Sequence, residues 1–173
     1  MCNLVNMDHG DALAYADQFG RFFAKQYGLP PMAGRVFGYL LICDPPERTA
    51  AQLSEELKAS RTAIGTAVEA LERSGSLVQR QRAAGERADR IFVGPDMWDR
   101  SLESPEEYAA IAELARAGLR LLGDDAPLDH RRRLLEAEAF SEFLVEYTIA
   151  MAGKWREHRA RLVAEGRLPE RPT

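Results

Sequence analysis

The sequence predicts a mainly α-helical fold with one small β-hairpin, and three observations lead to this class. Apolar residues recur at helical spacing between residues 15 and 27 and again between residues 140 and 155. Cap signals at Thr49 and Ser60 mark the starts of short helices in the middle of the chain. After Gly75 the pattern changes to two short apolar runs around a polar, arginine-rich centre, which is typical of a hairpin.

The N-terminal third predicts two helices that pack closely. The first ends at Gly28, and the second begins at Pro31, because proline fits the first helical turn. The second helix should end near Cys43, where an aspartate precedes a proline. Gly34 and Gly38 lie one turn apart on this second helix, and small residues at that spacing let another helix approach closely. We therefore expect the second helix to be buried.

Two short helices follow, joined by about three residues. Thr49 with Gln52 has the form of a capping box, and Ser60 caps the second helix, which Gly75 is placed to stop. The inward stripe of the second helix consists of Ile64, Val68 and Leu71. This arrangement is typical of a helix-turn-helix, in which the second helix, the recognition helix, enters the major groove of DNA.

The hairpin predicted between residues 77 and 93 adds a wing beside the recognition helix. The segment from residue 60 to residue 93 has six basic and four acidic residues, whereas the whole chain has a net charge of −4. Arginine presents a planar fork that suits phosphate and guanine. All six basic residues are arginines: Arg61, Arg73, Arg80, Arg82, Arg87 and Arg90.

The order of these elements predicts a winged helix-turn-helix that binds DNA. A short helix is followed by a capped second helix, a glycine that ends it, and an arginine-rich hairpin. The short polar residues at the start of the recognition helix allow close approach to base edges, and the wing arginines suit phosphates or the minor groove. Glu69 is expected at the edge of this face or in a solvated position. The candidate DNA contacts are Ser60, Arg61, Thr62 and Thr66 in the helix and Arg82, Arg87 and Arg90 in the wing.

Two long helices are predicted at the C-terminal end. Ser104, Pro105 and Glu107 start one, and the other begins near Pro127. Its long apolar stripe needs a partner, which we expect to be the same surface of a second subunit. The predicted divisions are 11–28, an N-terminal dimerisation helix; 31–95, the winged domain; 104–166, C-terminal dimerisation helices; and 167–173, a disordered tail.

Composition excludes several other classes. The chain has 173 residues, 46% of them hydrophobic, which is ordinary for a soluble globular protein. Its longest apolar run, from Tyr39 to Cys43, is too short to span a bilayer, and the start lacks a secretory signal, so we expect a cytoplasmic protein. Cys2 and Cys43 predict neither a disulfide framework nor a metal site, and no cofactor is expected. No catalytic spacing relates the histidines, His9, His130 and His158, to these cysteines, which argues against an enzyme.

The residues resemble the MarR family of dimeric winged-helix transcriptional regulators over nearly the whole chain. The stretches AGRVFGYLLICDPP and AAQLSEELKAS, with Gly85, Glu86 and Arg87 in the wing, are similar to the actinobacterial subgroup that includes the mycobacterial repressor of MmpL-type lipid exporters. Relatives often have aspartate before the wing arginine and a second arginine after it, where this chain has Glu86 and Ala88. The resemblance implies a homodimer that represses from a pseudo-palindromic operator, two winged domains about one DNA turn apart, and release by a lipophilic ligand.

That ligand is implied to bind between the dimerisation and DNA-binding parts. Alternatives remain open: a winged-helix module that recognises a protein instead of DNA, or a regulator that senses osmolytes or the oxidation of Cys43. The aromatic residues also fit the core of a subunit interface, which is compatible with lining a cavity. The candidate ligand-binding residues are Phe19, Phe23, Phe140, Phe143 and Tyr147.

Overall fold

A computed structural model describes residues 8–75, 77–82, 84–85, 87–102 and 105–171. It divides into two compact units, residues 1–97 and 98–173. No helix in the described ranges is long and apolar enough to cross a membrane. The elements in chain order are α1 (His9–Tyr27), α2 (Pro31–Leu40), β1 (Glu47–Thr49), α3 (Ala50–Glu56), α4 (Arg61–Arg73), β2 (Gln79–Gln81), β3 (Arg90–Phe92), α5 (Met97–Arg100), α6 (Pro105–Leu122) and α7 (Leu128–Ala164).

Helices α1 and α2 pack closely, as the two glycines of α2 predict. Gly28 ends α1 in the left-handed conformation (φ 65°), and its N–H donates to the carbonyl of Phe23. A Cβ at Gly38 would lie 2.8 Å from the Cβ of Phe19, and one at Gly34 would meet the backbone of Phe19. Helix α2 ends at Leu40, earlier than Cys43, and both glycines are buried.

The core of the first unit is formed where α2, α3 and α4 meet. Leu53 of α3 and Leu57, which directly follows α3, contribute fully buried side chains, as do Ile64, Val68 and Leu71 of α4. Thr49 and Ser60 cap these helices as predicted, because the Thr49 hydroxyl accepts from the Gln52 N–H and the Ser60 hydroxyl from the Ala63 N–H. These caps fix where each helix begins.

The predicted hairpin is present, but it is part of a larger antiparallel sheet with the order β1-β3-β2. Strand β2 begins only after the apolar pair Leu77 and Val78, β3 includes Ile91 and Phe92 of the second apolar run, and Arg80 lies opposite Ile91. The prediction missed β1, which pairs Arg48 with Ile91 on the other side of β3. Strand β1 carries no apolar residue, so neither periodicity nor β-propensity distinguishes it from a loop.

Arg48 explains how a strand without apolar residues has a buried position. Its side chain is 10% exposed, and its Nε lies 3.0 Å from both carboxylate oxygens of Glu56 in α3. The remaining nitrogens donate to the backbone carbonyls of Asp44, Pro45 and Glu47. A buried guanidinium thus joins β1, the preceding loop and α3.

In the second unit, α6 and α7 run antiparallel. Gly118 of α6 lies against Leu134, whereas Arg116, one half-turn earlier, reaches Glu138 (2.8 Å) and Glu142 further along α7. The buried positions between the helices are small or polar: Ala112, Ala115, Ser141, Thr148 and Ala152. Helix α6 begins at Pro105 as predicted, while the proposed cap Ser104 and also Cys2 lie outside the described residues.

Asp99 of α5 contacts two parts of the second unit that are distant from it in the chain. Trp155 of α7 donates through Nε1 to its carboxylate (2.6 Å), and Arg171 forms an ion pair with the other oxygen. The Arg167 N–H also donates to the carbonyl of Leu162 (2.9 Å). The disordered tail and the other predicted divisions of the chain, including the role of α1 in dimerisation, stay predictions.

Candidate nucleic-acid interface

The turn between α3 and α4 is closed by local hydrogen bonds. The Ser54 hydroxyl donates to the carbonyl of Ala59 (2.6 Å), and the Ala59 N–H donates to the carbonyl of Ser54 (3.0 Å). Lys58 adopts the left-handed conformation (φ 52°) that reverses the chain here. Two short helices are therefore held in a fixed arrangement, with α4 beginning directly after the turn.

Helix α4 places the predicted helix contacts together at its exposed N-terminal end. Arg61, Thr62 and Thr66 are exposed, while Ile64, Ala67 and Val68 on the other side are buried. The Ser60 oxygen accepts from the Ala63 N–H at 3.1 Å, which leaves its O–H as a donor to an outside group. Glu69 is also exposed, one turn after Gly65 on the same face. The end of the helix is thus polar and accessible, with free backbone N–H groups.

The hairpin from residue 79 to residue 92, here called the wing, is tied to its neighbours by ion pairs. Arg80 of β2 pairs with Glu72 of α4 (2.8 Å), which joins the wing to the recognition helix. Arg90 of β3 pairs with Glu47 of β1 (2.8 Å). These contacts fix the base of the wing against α4 and β1.

Within the wing, Arg82 and Asp89 face each other across the hairpin. Their Nε and Oδ1 atoms are 2.7 Å apart. The hydrogen bond from Arg82 holds the pKa of the Asp89 carboxyl below its usual range, and the same bond raises the pKa of Arg82. Both groups are therefore charged near neutral pH.

Arg87 differs from the other two candidate wing contacts. It is exposed and forms no ion pair with any residue in the described ranges. It lies beside Gly85, whose φ of 87° turns the hairpin tip. The neighbouring wing residues Ala83 and Glu86 lie outside the described residues.

A shallow cleft connects the recognition helix to the wing. It has a volume of about 260 Å³, and its walls include Arg61 of α4 and Arg80 and Asp89 of the wing. Thr49 and Ala50, at the β1–α3 junction, form another side. Of the predicted DNA contacts, Arg61 lines this cleft, opposite wing residues that were not among the predicted contacts.

The candidate ligand residues fall into two groups, one in each unit. In α1, Phe23 is buried, and its ring lies 6.1 Å from that of the partly buried Phe19. In α7, Phe143 stacks between Phe140 (6.5 Å) and Tyr147 (5.8 Å), and more than half of each of these three side chains is exposed.

Cys43, the candidate redox residue, lies half-buried after α2. Burial raises the pKa of its thiol above the ordinary value, although the charge of Arg48 acts in the opposite direction. The thiol lies 3.9 Å from the carbonyl of Leu40. A raised pKa keeps the group protonated and less reactive at neutral pH.

Sequence reasoning missed the partners of the arginines. Each of these partners, Glu47, Glu56 and Glu72, lies on a different element from the arginine it binds, and Glu47 is also far from Arg90 along the chain. The available signal was the presence of acidic residues in and around an arginine-rich hairpin. Opposite charges in one segment indicate internal pairing as readily as a solvated surface.

A capped helix pair followed by an arginine-bearing wing defines a winged helix-turn-helix protein. A family model for MmpR5-like MarR family transcriptional regulators matches residues 96–158. Together with a 30%-identical relative that covers 85% of this chain, the match shows that the chain belongs to the MarR family of transcriptional regulators, a family of DNA-binding regulators and not of enzymes.

Particular relatives support the same assignment. The chain is similar to the HTH-type transcriptional regulator MmpR5 of Mycobacterium tuberculosis (strain ATCC 25618 / H37Rv), with 30% identity over 148 residues, 85% of this chain and 88% of that protein. A solved crystal structure of a transcriptional regulator is also similar, with a TM-score of 0.74 and 29% identity, and the match covers 85% of this chain and 99% of the other. The predicted fold class, mainly α with a small β wing and MarR-like, is confirmed.

Proposed function

We propose that the chain is a homodimeric repressor that binds a pseudo-palindromic DNA operator near its own gene or a transporter gene and is released by a small lipophilic ligand. It acts in the cytoplasm, where it meets DNA. The observation that carries the proposal is the exposed, capped start of α4 beside the wing, with Arg61 and Arg80 lining the cleft between them.

The start of α4 enters the major groove in this proposal. Ser60 and the free backbone N–H groups of the helix bind a phosphate, and Arg61, Thr62 and Thr66 contact base edges or the adjacent backbone. Thr62 and Thr66 are exposed and short, so the helix backbone lies close to the bases. Contacts at base edges supply sequence preference, whereas phosphate contacts fix the orientation.

The wing contributes charge in two ways. Arg87 is exposed at the turn and binds the minor groove or a phosphate directly. Arg82 pairs with Asp89 and contacts the DNA backbone through its remaining donors. Arg90, which pairs with Glu47, adds its positive charge to the wing. The wing ion pairs thus hold the hairpin in place while it contacts DNA.

The exposed aromatic face of α7 is proposed to pack against a second copy. Three stacked rings on this face are exposed to water: Phe140 (62%), Phe143 (56%) and Tyr147 (56%). Contiguous exposed apolar surface of this kind is typical of a protein–protein contact. On α6, Leu114 and Leu121 are also exposed, at 72% and 89%. A two-fold dimer buries these residues and presents two recognition helices to operator half-sites about 34–36 Å apart.

The ligand is proposed to bind among Phe19, Phe23, Phe140, Phe143 and Tyr147 in that dimer. An apolar hollow of about 270 Å³ beside Phe19, with Gln18 and Phe22, supports the α1 part of this site. Release follows if the ligand binds better to a dimer whose half-site spacing does not match the groove. Mass spectrometry of an organic extract of the purified protein tests for a carried lipid, and an extract without one counts against this part.

Fluorescence anisotropy tests DNA binding with two duplexes of equal length, the chain's own upstream intergenic DNA and a scrambled control. We expect preference for the upstream duplex and a steep salt dependence. The affinity of a protein that makes about 6–10 phosphate contacts falls roughly 10³–10⁵-fold when the salt concentration rises from 50 to 200 mM. Measurement before and after delipidation separates a ligand-released dimer from a protein that does not bind. Equal affinity for both duplexes after delipidation contradicts the proposal.

A second candidate is a winged-helix module that recognises a protein. The internal pairing of Arg82 and Arg90 favours it, because two of the three candidate wing contacts already have acidic partners. Replacing Arg87 and Arg90 together by glutamate distinguishes the candidates. Loss of DNA binding supports the regulator, whereas unchanged DNA affinity supports the protein-binding module.

A further inference from the structure

Gly65 lies in the middle of the exposed face of the recognition helix. Thr62 precedes it by three residues and Glu69 follows by four, so all three lie on one side of α4. Glycine inside a helix is about fivefold less favourable than alanine for helix formation, because its backbone loses more freedom. A glycine at this position therefore needs a reason.

Two other glycines inside helices, Gly38 and Gly118, have that reason within the chain. A Cβ at Gly38 would lie 2.8 Å from the Cβ of Phe19, and one at Gly118 would lie 2.9 Å from a methyl of Leu134. In both cases the missing side chain makes room for a neighbouring helix. The cost to helix formation is offset by packing.

Gly65 has no such neighbour among the described residues. Apart from its two chain neighbours and the backbone of its own helix, no described atom lies within 4 Å of a Cβ built there. Its φ is not positive either, so the backbone conformation does not require glycine. Nothing in the described chain therefore accounts for the absence of a side chain.

We infer that Gly65 leaves room for DNA and sets how closely the recognition helix approaches the base edges. This inference rests on the proposed binding of DNA by α4. Removing a Cβ lets the surfaces approach by up to about 1.5 Å, one carbon–carbon bond length. At that distance the short side chains of Thr62 and Thr66 reach base edges, which a larger residue at position 65 prevents. Gly65 is thus a specificity-determining position, acting through the space it leaves.

The substitution Gly65→Ala tests this inference because it favours the helix while filling the space. We expect the melting temperature to rise by a few degrees and affinity for the upstream intergenic duplex to fall at least tenfold. Weak binding to a scrambled duplex at low salt depends on phosphates and should change less than threefold. Circular dichroism checks that the helix content is kept.

Gly153→Ala is the matched control. Gly153 also lies inside a helix, and apart from its two chain neighbours and the backbone of its own helix no described atom lies within 4 Å of a Cβ built there, but it belongs to α7 in the second unit. We expect it to raise the melting temperature similarly and to leave DNA affinity unchanged. Gel filtration verifies that its oligomeric state matches that of the unsubstituted chain.

The outcomes separate this inference from the proposed function. Unsubstituted protein that prefers the upstream duplex, with Gly65→Ala binding it equally well, overturns the inference and leaves the proposed function intact. An equal loss on both duplexes, or a lower melting temperature, also overturns it, because the methyl then acts on something other than groove fit. If the unsubstituted, delipidated protein shows no preference, the proposed function fails and the role of Gly65 fails with it.

Discussion

Arg82 and Asp89 form an ion pair across the wing, with 2.7 Å between Nε and Oδ1. The arginine side chain is 60% exposed and the aspartate 36%, so water screens the pair and its contribution to folding is small. Its position matters more than its strength. It places a carboxylate beside one of the three wing arginines expected to contact DNA.

Asp89→Asn is expected to tighten binding to DNA of any sequence. Loss of the carboxylate removes a repulsive charge and frees Arg82 for phosphate. Affinity should rise about threefold to tenfold, and the salt dependence should steepen by about one counterion per chain. Anisotropy over a salt series measures both, with Asp125→Asn, an exposed acid of the second unit, as control. Weaker binding by Asp89→Asn would mean that positioning of the hairpin outweighs charge.

Arg48→Ala is expected to destabilise the chain strongly. It removes the Nε donor shared by both carboxylate oxygens of Glu56, and it leaves that carboxylate and the loop carbonyls without their donor. Loss of one partner of a largely buried pair costs about 2–4 kcal/mol. Urea unfolding measures the change. Arg132→Ala, which removes an exposed pair with Asp129, should cost less than about 0.5 kcal/mol, and equal costs for the two variants would refute a structural role for Arg48.

Cys43 is expected to react slowly at neutral pH. Burial raises its pKa, so the reactive thiolate is scarce at pH 7 and increases only as the pH passes above the ordinary thiol range. The folded chain holds this proton to a higher pH than the unfolded chain, so folding stability falls as the pH rises through that range. Iodoacetamide labelling in a Cys2→Ser background measures the rate. Fast labelling at pH 7, with DNA release by peroxide that Cys43→Ser abolishes, would instead support thiol sensing.

In the proposed homodimer, Phe143→Lys is expected to separate the subunits. Phe143 lies at the centre of the exposed aromatic stack of α7, and a buried lysine there would lack a charged partner. Phe143→Leu keeps the surface apolar and should remain dimeric. Sedimentation at several concentrations distinguishes monomer from dimer. A dimer that survives Phe143→Lys would place the subunit contact on another surface.

The parts predicted from sequence are those determined by neighbouring residues. Thr49 with Gln52, Ser60 and Gly28 each act within a few positions, so their motifs identify helix ends directly. Gly34 and Gly38 indicated close packing, although not that Phe19 fills the space. Local pattern is therefore enough for the helices and for the end of α4 that faces outward.

The parts not predicted depend on residues distant in the chain. Strand β1 forms because Arg48 pairs with Glu56 and because β3, more than forty positions later in the chain, pairs with β1. The pairing of Arg90 with Glu47 has the same origin. Such contacts have no periodicity, so the arginines of the wing were identified while their acidic partners were not.

Charge reversal at Arg87 tests the central claim, that the start of α4 and the wing bind DNA together. Anisotropy on the upstream intergenic duplex compares the unsubstituted chain with Arg87→Glu and with Arg120→Glu, an exposed arginine of α6. We expect Arg87→Glu to weaken binding at least a hundredfold and to reduce the salt dependence by about two counterions per dimer, while Arg120→Glu binds normally. Equal affinity of Arg87→Glu and the unsubstituted chain would contradict the claim.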